Sequence, residues 1–334
     1  GETLVDFVTW AVDTFPADKH VLILSDHGMG WPGGWSDPAP GGKADPSIPL
    51  SSAIGDELFL MELDEALGEI RAQTGIEQFE LIGLDACLMG QLEVFDALAP
   101  HARYAVASEE TEPALGWAYT GFLEELGRNP DMSGAELSAL IVDTYIQDDQ
   151  RIVDDQARAD LLRQGSPMGG MFGLLGPPTA QQVAEQMEQS STLAAVDLAA
   201  MPQLMDSMNN LSYNLQQANQ RDVARARTYA QSFTSVFGRE VPPSYIDLGS
   251  FVQLLKRETG HSGVAAAADQ VLASLENTVI AEKHGPKKPA ATGVSVDFPN
   301  SQLYRSPVTG PQSDPVVADR FARESLWDDF LAYH

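Results

Sequence analysis

Short apolar runs and helically spaced apolar positions alternate through the first 110 residues of the chain. Leu4–Asp13 has helical spacing, and His20–Ser25, built on Val21-Leu22-Ile23-Leu24, is a continuous apolar run of strand length. Gly30–Ser52 follows as a long Gly- and Pro-rich loop. Asp56–Gln73 then carries Leu58, Met61, Leu63, Leu67 and Ile70 on one helical face. Phe79–Ala86 is the next strand, Leu88–Leu98 the next helix and Arg103–Ala107 a third strand. Apolar strands separated by amphipathic helices predict a parallel sheet buried on both faces.

The pattern changes in the middle of the chain. Ser133–Asp148 and Thr179–Val236 are mostly helical and rich in Gln, Ala and Met, with Gly165–Pro178 connecting them and Thr192–Val196 readable as a short strand. Tyr245–Glu258 and Gly263–His284 predict two more helices, Gly293–Pro299 a late strand, and Phe321–Tyr333 a closing amphipathic helix. The expected architecture is one α/β domain spanning 1–334, its mostly parallel central sheet flanked by helices on both faces. A helical insertion is expected at 179–240.

Charge narrows the choice of partner. Forty-eight acidic residues against 20 basic ones give a net charge of −28, and most of the excess lies in residues 1–128. Phosphate binding needs basic patches, so nucleic acid is excluded as a partner. Such a field attracts cationic substrates and divalent ions, and it equally serves solubility or adaptation to salt. No apolar run reaches the roughly 18 residues of a membrane span. The chain opens on Gly1, so the lack of a leader says nothing about compartment.

The candidate chemistry sits at two strand ends. Cys87 is the only cysteine and follows directly on the Phe79–Ala86 run; His27-Gly28 follows the His20–Ser25 run. A single cysteine forms no internal disulfide, so its value lies in reactivity or in packing. In an open parallel sheet, ligands bind beyond the carboxyl ends of the strands, where both residues would face one crevice. A thiol needs a base to become a thiolate at neutral pH, and imidazole is the usual one. The N–H of Gly28, with that of Cys87 at an expected helix start, can form an oxyanion hole. A lone buried cysteine would be the ordinary reading; the second strand end carrying His-Gly reverses it.

The stretch from His20 to Trp31, with Leu22-Ile23-Leu24-Ser25-Asp26-His27-Gly28-Met29-Gly30, resembles the clostripain family of cysteine peptidases, within the larger group of caspases, legumain and gingipains. Leu84-Asp85-Ala86-Cys87-Leu88-Met89-Gly90 is similar to that family's nucleophile motif. Ala107-Ser108-Glu109-Glu110 with Gly116-Trp117-Ala118-Tyr119 is similar to its next block, although the family more often has Asp or Asn at the position of Ala118. Gly293–Pro299 and Trp327-Asp328-Asp329-Phe330-Leu331 resemble its C-terminal signature. The resemblance implies a caspase-like fold, Cys87 as nucleophile and His27 as general base. It also implies Asp85 as the carboxylate that receives a substrate Arg or Lys, with peptides or proteins exposing such residues as substrates. Physics agrees, since a carboxylate buried beside the nucleophile is costly alone and a cation relieves it. Ser108, Glu109 and Trp117 are further candidate substrate-binding residues, and Glu110 reads either as pocket or as surface.

Family members can be activated by cleavage in the loop after this histidine. Lys43–Ala44 is the only bond following a basic residue between Lys19 and Arg71, which makes it the expected self-processing site. The resemblance further implies a secreted or extracytoplasmic bacterial protein, expected to be a monomer. No cofactor is required for the chemistry; Ca2+ is a weaker expectation without nameable ligands. Two other readings are open. One is a caspase-like binding module without activity. The other is a metal-dependent phosphodiesterase using Ser25-Asp26-His27-Gly28, but no histidine here follows an aspartate by four residues. Trp31 and Trp35 wall the cleft or anchor the loop, and His20, His101, His261, His284 and His334 show no partner pattern.

Overall fold

A computed structural model describes residues 1–35, 47–55, 57–163, 179–238, 240–310 and 314–334. Among the described residues the strands are β1 (Val21–Ser25), β2 (Phe79–Asp85), β3 (Ala102–Ala107), β4 (Thr192–Asp197), β5 (Tyr245–Asp247), β6 (Val279–His284) and β7 (Ser295–Asp297). Five of them form the main sheet in the order β1-β2-β3-β4-β6, while β5 and β7 pair separately. β1, β2 and β3 are parallel neighbours; β4 runs antiparallel to both β3 and β6. The sheet is therefore mixed, with β4 alone against the common direction. The architecture is α/β and caspase-like.

Alternation along the strands sorts the core into two layers. Ile82, Leu84, Ala105 and Ala107 join the larger apolar cluster, with Leu63 and Leu67 of the Leu60–Thr74 helix, Leu204 and Met208 of Met201–Leu215, and Ala268 and Val271 of Ser262–Thr278. Leu81, Val106, Leu193 and Ala195 face the other way, onto Trp117, Phe122 of Tyr119–Arg128, and Ile141 of Gly134–Thr144. Gly83 belongs to this second face. A Cβ there would lie 2.8 Å from the Trp117 ring, so the absence of a side chain lets the indole lie on β2.

Three sequence expectations are corrected. Gly263–His284 is not one helix: the helix ends at Thr278 and β6 begins at Val279. Apolar spacing continues through Leu275 and Val279, but Thr278-Val279-Ile280 is a β-branched run that favours extended chain. Tyr245–Asp247 is a strand, and Asp247 caps the Leu248–Glu258 helix by accepting the Ser250 N–H at 2.6 Å. The closing segment is two helices, Asp319–Glu324 and Trp327–Tyr333, divided at Ser325, whose hydroxyl accepts the Trp327 N–H at 2.9 Å. The expected insertion at 179–240 is mostly helical as far as Tyr229 but contains β4, which lies inside the sheet between β3 and β6, so the segment is woven into the domain.

Candidate active site

β1 and β2 run side by side with Ser25 opposite Asp85, so the residues that follow each strand leave the sheet at the same level. The Asp26 N–H donates to the Asp85 carbonyl at 3.3 Å, carrying the ladder one residue past β1. The chain then folds into a small hairpin. Trp35 N–H donates to His27 O at 2.9 Å, Met29 N–H donates to Gly33 O at 2.9 Å, and the Tyr245 hydroxyl donates to Met29 O at 2.5 Å. His27 sits at the base of this hairpin with its side chain exposed.

Gly28 presses on the nucleophile loop. A Cβ at this position would lie 2.5 Å from the Cys87 carbonyl oxygen and 2.9 Å from Met89 Cγ. Gly28 is thus the residue that permits the histidine loop and the cysteine loop to touch through their backbones. The cysteine loop is tied on its other side to the chain beyond β3, where Leu88 N–H donates to Glu110 O at 3.1 Å and Gly90 N–H donates to Ser108 O at 2.7 Å. Leu88 holds φ +65°, a left-handed conformation that costs a branched residue on the order of 1–3 kcal/mol and recurs at functional sites.

Cys87 is half-buried, and its Sγ accepts the Glu112 N–H at 3.3 Å. Burial pushes the thiol above its ordinary range; the Glu110 and Asp85 charges add to this, and the Glu112 amide partly offsets it. The resting thiol therefore keeps its proton at neutral pH. No hydrogen bond joins the His27 imidazole to Sγ among the described residues, and such contacts often tighten only when substrate binds. One expectation is corrected here. The helix after the nucleophile begins at Leu92, not at Leu88, so Cys87 lies in a turn and not at a helix start. Any oxyanion donor at Cys87 is a turn amide without a helix dipole behind it.

Beneath the thiol lies a carboxylate. Asp85 is 4% exposed, and its Oδ2 accepts from Ser25 Oγ at 3.1 Å and from the Tyr119 hydroxyl at 2.8 Å. Gly116, at φ +66°, covers it; a Cβ there would stand 2.8 Å from Oδ2. The covering turn is braced from outside by Arg151, whose guanidinium donates to the Leu115 carbonyl and pairs with Asp149 at 2.6 Å. Glu112 lines the same space, with Oε1 accepting the Trp117 indole N–H at 3.4 Å. Glu112 escaped the sequence reading, and Tyr119 was read only as part of the Gly116-Trp117-Ala118-Tyr119 block without a role. The only signal for Glu112 was proximity to that block.

Other candidates stand apart from this pocket. Ser108 is fully buried and its hydroxyl donates to Glu110 O at 2.8 Å and meets Thr192 Oγ1 at 3.0 Å, so it braces the loop and faces no substrate. Glu109 is 1% exposed, and its Oε2 accepts the Gly293 N–H at 3.0 Å, which turns it away from Asp85. Burial pushes its carboxyl up, and the Asp247 charge adds to this. Glu110 is buried against Lys288 at 2.5 Å and is not surface. Trp117 is buried and supports the pocket from behind. Trp31 is buried against Phe237, with ring centroids 6.2 Å apart, and anchors the loop. His101 is a structural residue, 2.6 Å from Asp64. Lys43 and Ala44 lie outside the described residues. Among the described residues no group of three His, Cys, Asp or Glu side chains is arranged to hold a metal ion.

The parallel pairing of β1 and β2 thus brings His27 and Cys87 to the same edge of the sheet. Residues 1–159, which contain both His27 and Cys87, match the model of the clostripain family. Among solved structures, the chain is similar to an inactive zymogen C11 protease from Parabacteroides distasonis, at 15% identity and a TM-score of 0.59, covering 99% of this chain and 75% of that one. It is also similar to a secreted C11 cysteine protease from Bacteroides thetaiotaomicron in complex with an irreversible peptide inhibitor, at 16% identity and a TM-score of 0.55, covering 96% of this chain and 78% of that one. At such identities the likeness concerns the fold. No curated protein sequence matches the chain. No described helix is long and apolar enough to cross a membrane.

Proposed function

We propose that this chain is an endopeptidase that cleaves peptide bonds after Arg or Lys through a Cys87–His27 dyad. The observation that carries this reading is the Asp85 carboxylate, 4% exposed, two residues before the proposed nucleophile and packed under Gly116. A charge so placed is costly when alone, and a guanidinium or ammonium entering from substrate offsets that cost. Arg matches a carboxylate with two parallel N–H donors, Lys with a point charge.

In the reaction, His27 takes the Cys87 proton as Sγ bonds the carbonyl carbon of the substrate, and the carbonyl electron pair moves onto oxygen. The Gly28 and Cys87 amides receive the oxyanion; no carbonyl or carboxylate accepts either N–H among the described residues. Collapse breaks the C–N bond, the leaving amine takes the proton from His27, and a thioester remains. Water then adds to the thioester with its proton passing to His27, and collapse releases the carboxylic acid while the proton returns to Sγ.

The same specificity makes Lys43–Ala44 the bond through which the enzyme would process itself, and secretion is part of the proposal because one similar structure is of a secreted protease. The test is a set of fluorogenic peptides differing only in Arg, Lys, Gln or Leu before the scissile bond, assayed with wild type, Cys87→Ala and Asp85→Asn. Cys87→Ala should be inactive, and Asp85→Asn should lose the preference for Arg and Lys. Retained basic preference in Asp85→Asn would overturn the pocket assignment. Mass spectrometry of wild type beside Cys87→Ala tests processing; an active enzyme intact at Lys43 would refute it.

A further inference from the structure

Glu112 touches both halves of the site. Its backbone N–H donates to Cys87 Sγ at 3.3 Å, and its side chain lies beside Asp85. One carboxyl oxygen accepts from Trp117; the other, Oε2, is buried and has no donor partner. Two carboxyl groups that meet with no donor between them repel when both are charged, and burial together with the Asp85 charge favours the protonated form of Glu112. A second buried group is also unsatisfied. The Tyr145 hydroxyl, 1% exposed, has no partner, and the charges of Glu112 and Asp85 reach it. The space therefore contains an acidic pair and an orphaned hydroxyl, arranged for a ligand that brings several N–H donors and a positive charge.

We propose that Glu112 is a specificity-determining residue, keeping its carboxyl proton beside Asp85 and releasing it when a basic substrate side chain enters. This rests on the reading of Asp85 as the residue that receives substrate Arg or Lys. The incoming cation replaces the proton as the counter-charge, so both carboxylates then accept N–H bonds from it. The proton leaves to solvent, and no other atom changes hands. Burial pushes the Glu112 carboxyl well above its ordinary range, and the Asp85 charge adds to this. The other titratable or charged groups facing the pair are Cys87 on its loop, Tyr119 on the Tyr119–Arg128 helix, Tyr145 after the Gly134–Thr144 helix, and Arg151, whose charge reaches Asp85. Glu110 acts on Cys87 rather than on the pair.

The consequence is a KM for Arg and Lys substrates that falls as pH rises through the titration of Glu112, with no such change for a substrate carrying Gln. Glu112→Gln keeps the backbone amide on Sγ and removes the ionisable carboxyl at this position. At pH above the titration it should weaken kcat/KM for basic substrates by about tenfold to a hundredfold, the range of a charged hydrogen bond, mainly through KM. Below the titration the two enzymes should converge. Calorimetry of Cys87→Ala binding an Arg peptide, repeated in buffers of different ionisation enthalpy, counts the proton directly. Near neutrality it should report proton release that vanishes in Cys87→Ala/Glu112→Gln. Parallel KM profiles for wild type and Glu112→Gln, or equal proton release in both calorimetric variants, would overturn the proposal. If Asp85→Asn loses basic preference while either of those results is found, only the role of Glu112 fails; if Asp85→Asn keeps the preference, both readings fall.

Discussion

Replacing Glu93 with Gln should flatten the decline in stability between about pH 5 and pH 8. Glu93 lies on the Leu92–Leu98 helix, 2% exposed, and its Oε1 accepts the Asp297 N–H at 2.8 Å while Oε2 has no partner. Burial, with the nearby Asp297 charge adding to it, pushes its carboxyl from 4.5 to about 8. Burial likewise raises Asp297 to about 7. A carboxyl whose folded value is raised binds its proton more tightly in the folded chain than in the unfolded one. Its contribution is therefore present at low pH and drains away as pH climbs from the unfolded value through the folded one. At about 1.4 kcal/mol per unit, a shift of this size amounts to a few kcal/mol, and the two partners share it rather than each supplying it.

Urea unfolding of wild type and Glu93→Gln at about pH 5 and pH 8 reads this as a difference between variants, in which the growing self-repulsion of an acidic chain cancels. Asp64 does not interfere, because the His101 and Arg320 contacts hold its carboxyl below the usual range despite burial, and its contribution is lost only in acid. His334, lowered by burial, works weakly in the opposite direction and is common to both variants. Wild type should lose more stability than Glu93→Gln on going to pH 8. Equal losses, or a wild type that gains stability, would show that Glu93 is ionised and satisfied in the fold.

Four further outcomes follow from the geometry. Gly28→Ala should cost about 1–3 kcal/mol in unfolding free energy and reduce kcat by on the order of a hundredfold, because its Cβ would meet the Cys87 carbonyl at 2.5 Å; wild-type kcat would sink the backbone-contact argument. Iodoacetamide should label Cys87 with an alkaline inflection above that of an ordinary thiol, given its buried setting, and labelling complete at neutral pH would contradict it. Lys288→Met, which strands the buried Glu110 now paired at 2.5 Å, should destabilise by about 3–5 kcal/mol, with Glu110→Gln in the same chain restoring part of it in urea melts. Trp327→Ala should cost about 3–5 kcal/mol in the same melts, since its ring meets Phe298 at 5.3 Å and its indole N–H donates to Asp297 O at 2.8 Å.

The juxtaposition of His27 and Cys87 was legible in the sequence because its logic is local. Each of the two follows an apolar run, and a parallel sheet brings the ends of adjacent runs to one edge. The first three strands and their helices could be read from period alone. β6 could not, because Val279 continues the spacing of the preceding helix; β5 could not, because its three residues open directly into a helix. The acidic residues are the deeper lesson. In a chain of net charge −28, a Glu or Asp reads as solvated surface. Yet Glu93 meets a residue 204 positions away, Glu109 meets Gly293 184 positions away, and Glu112 meets Asp85 across the nucleophile. No periodicity records such pairings, since each forms only when β7 and the β3 loop close over the Cys87 turn. A buried carboxyl without a donor keeps its proton, so this fold carries protons inside a strongly anionic surface. Under the proposal made for Glu112, its proton lies beside Asp85, where a basic side chain would displace it.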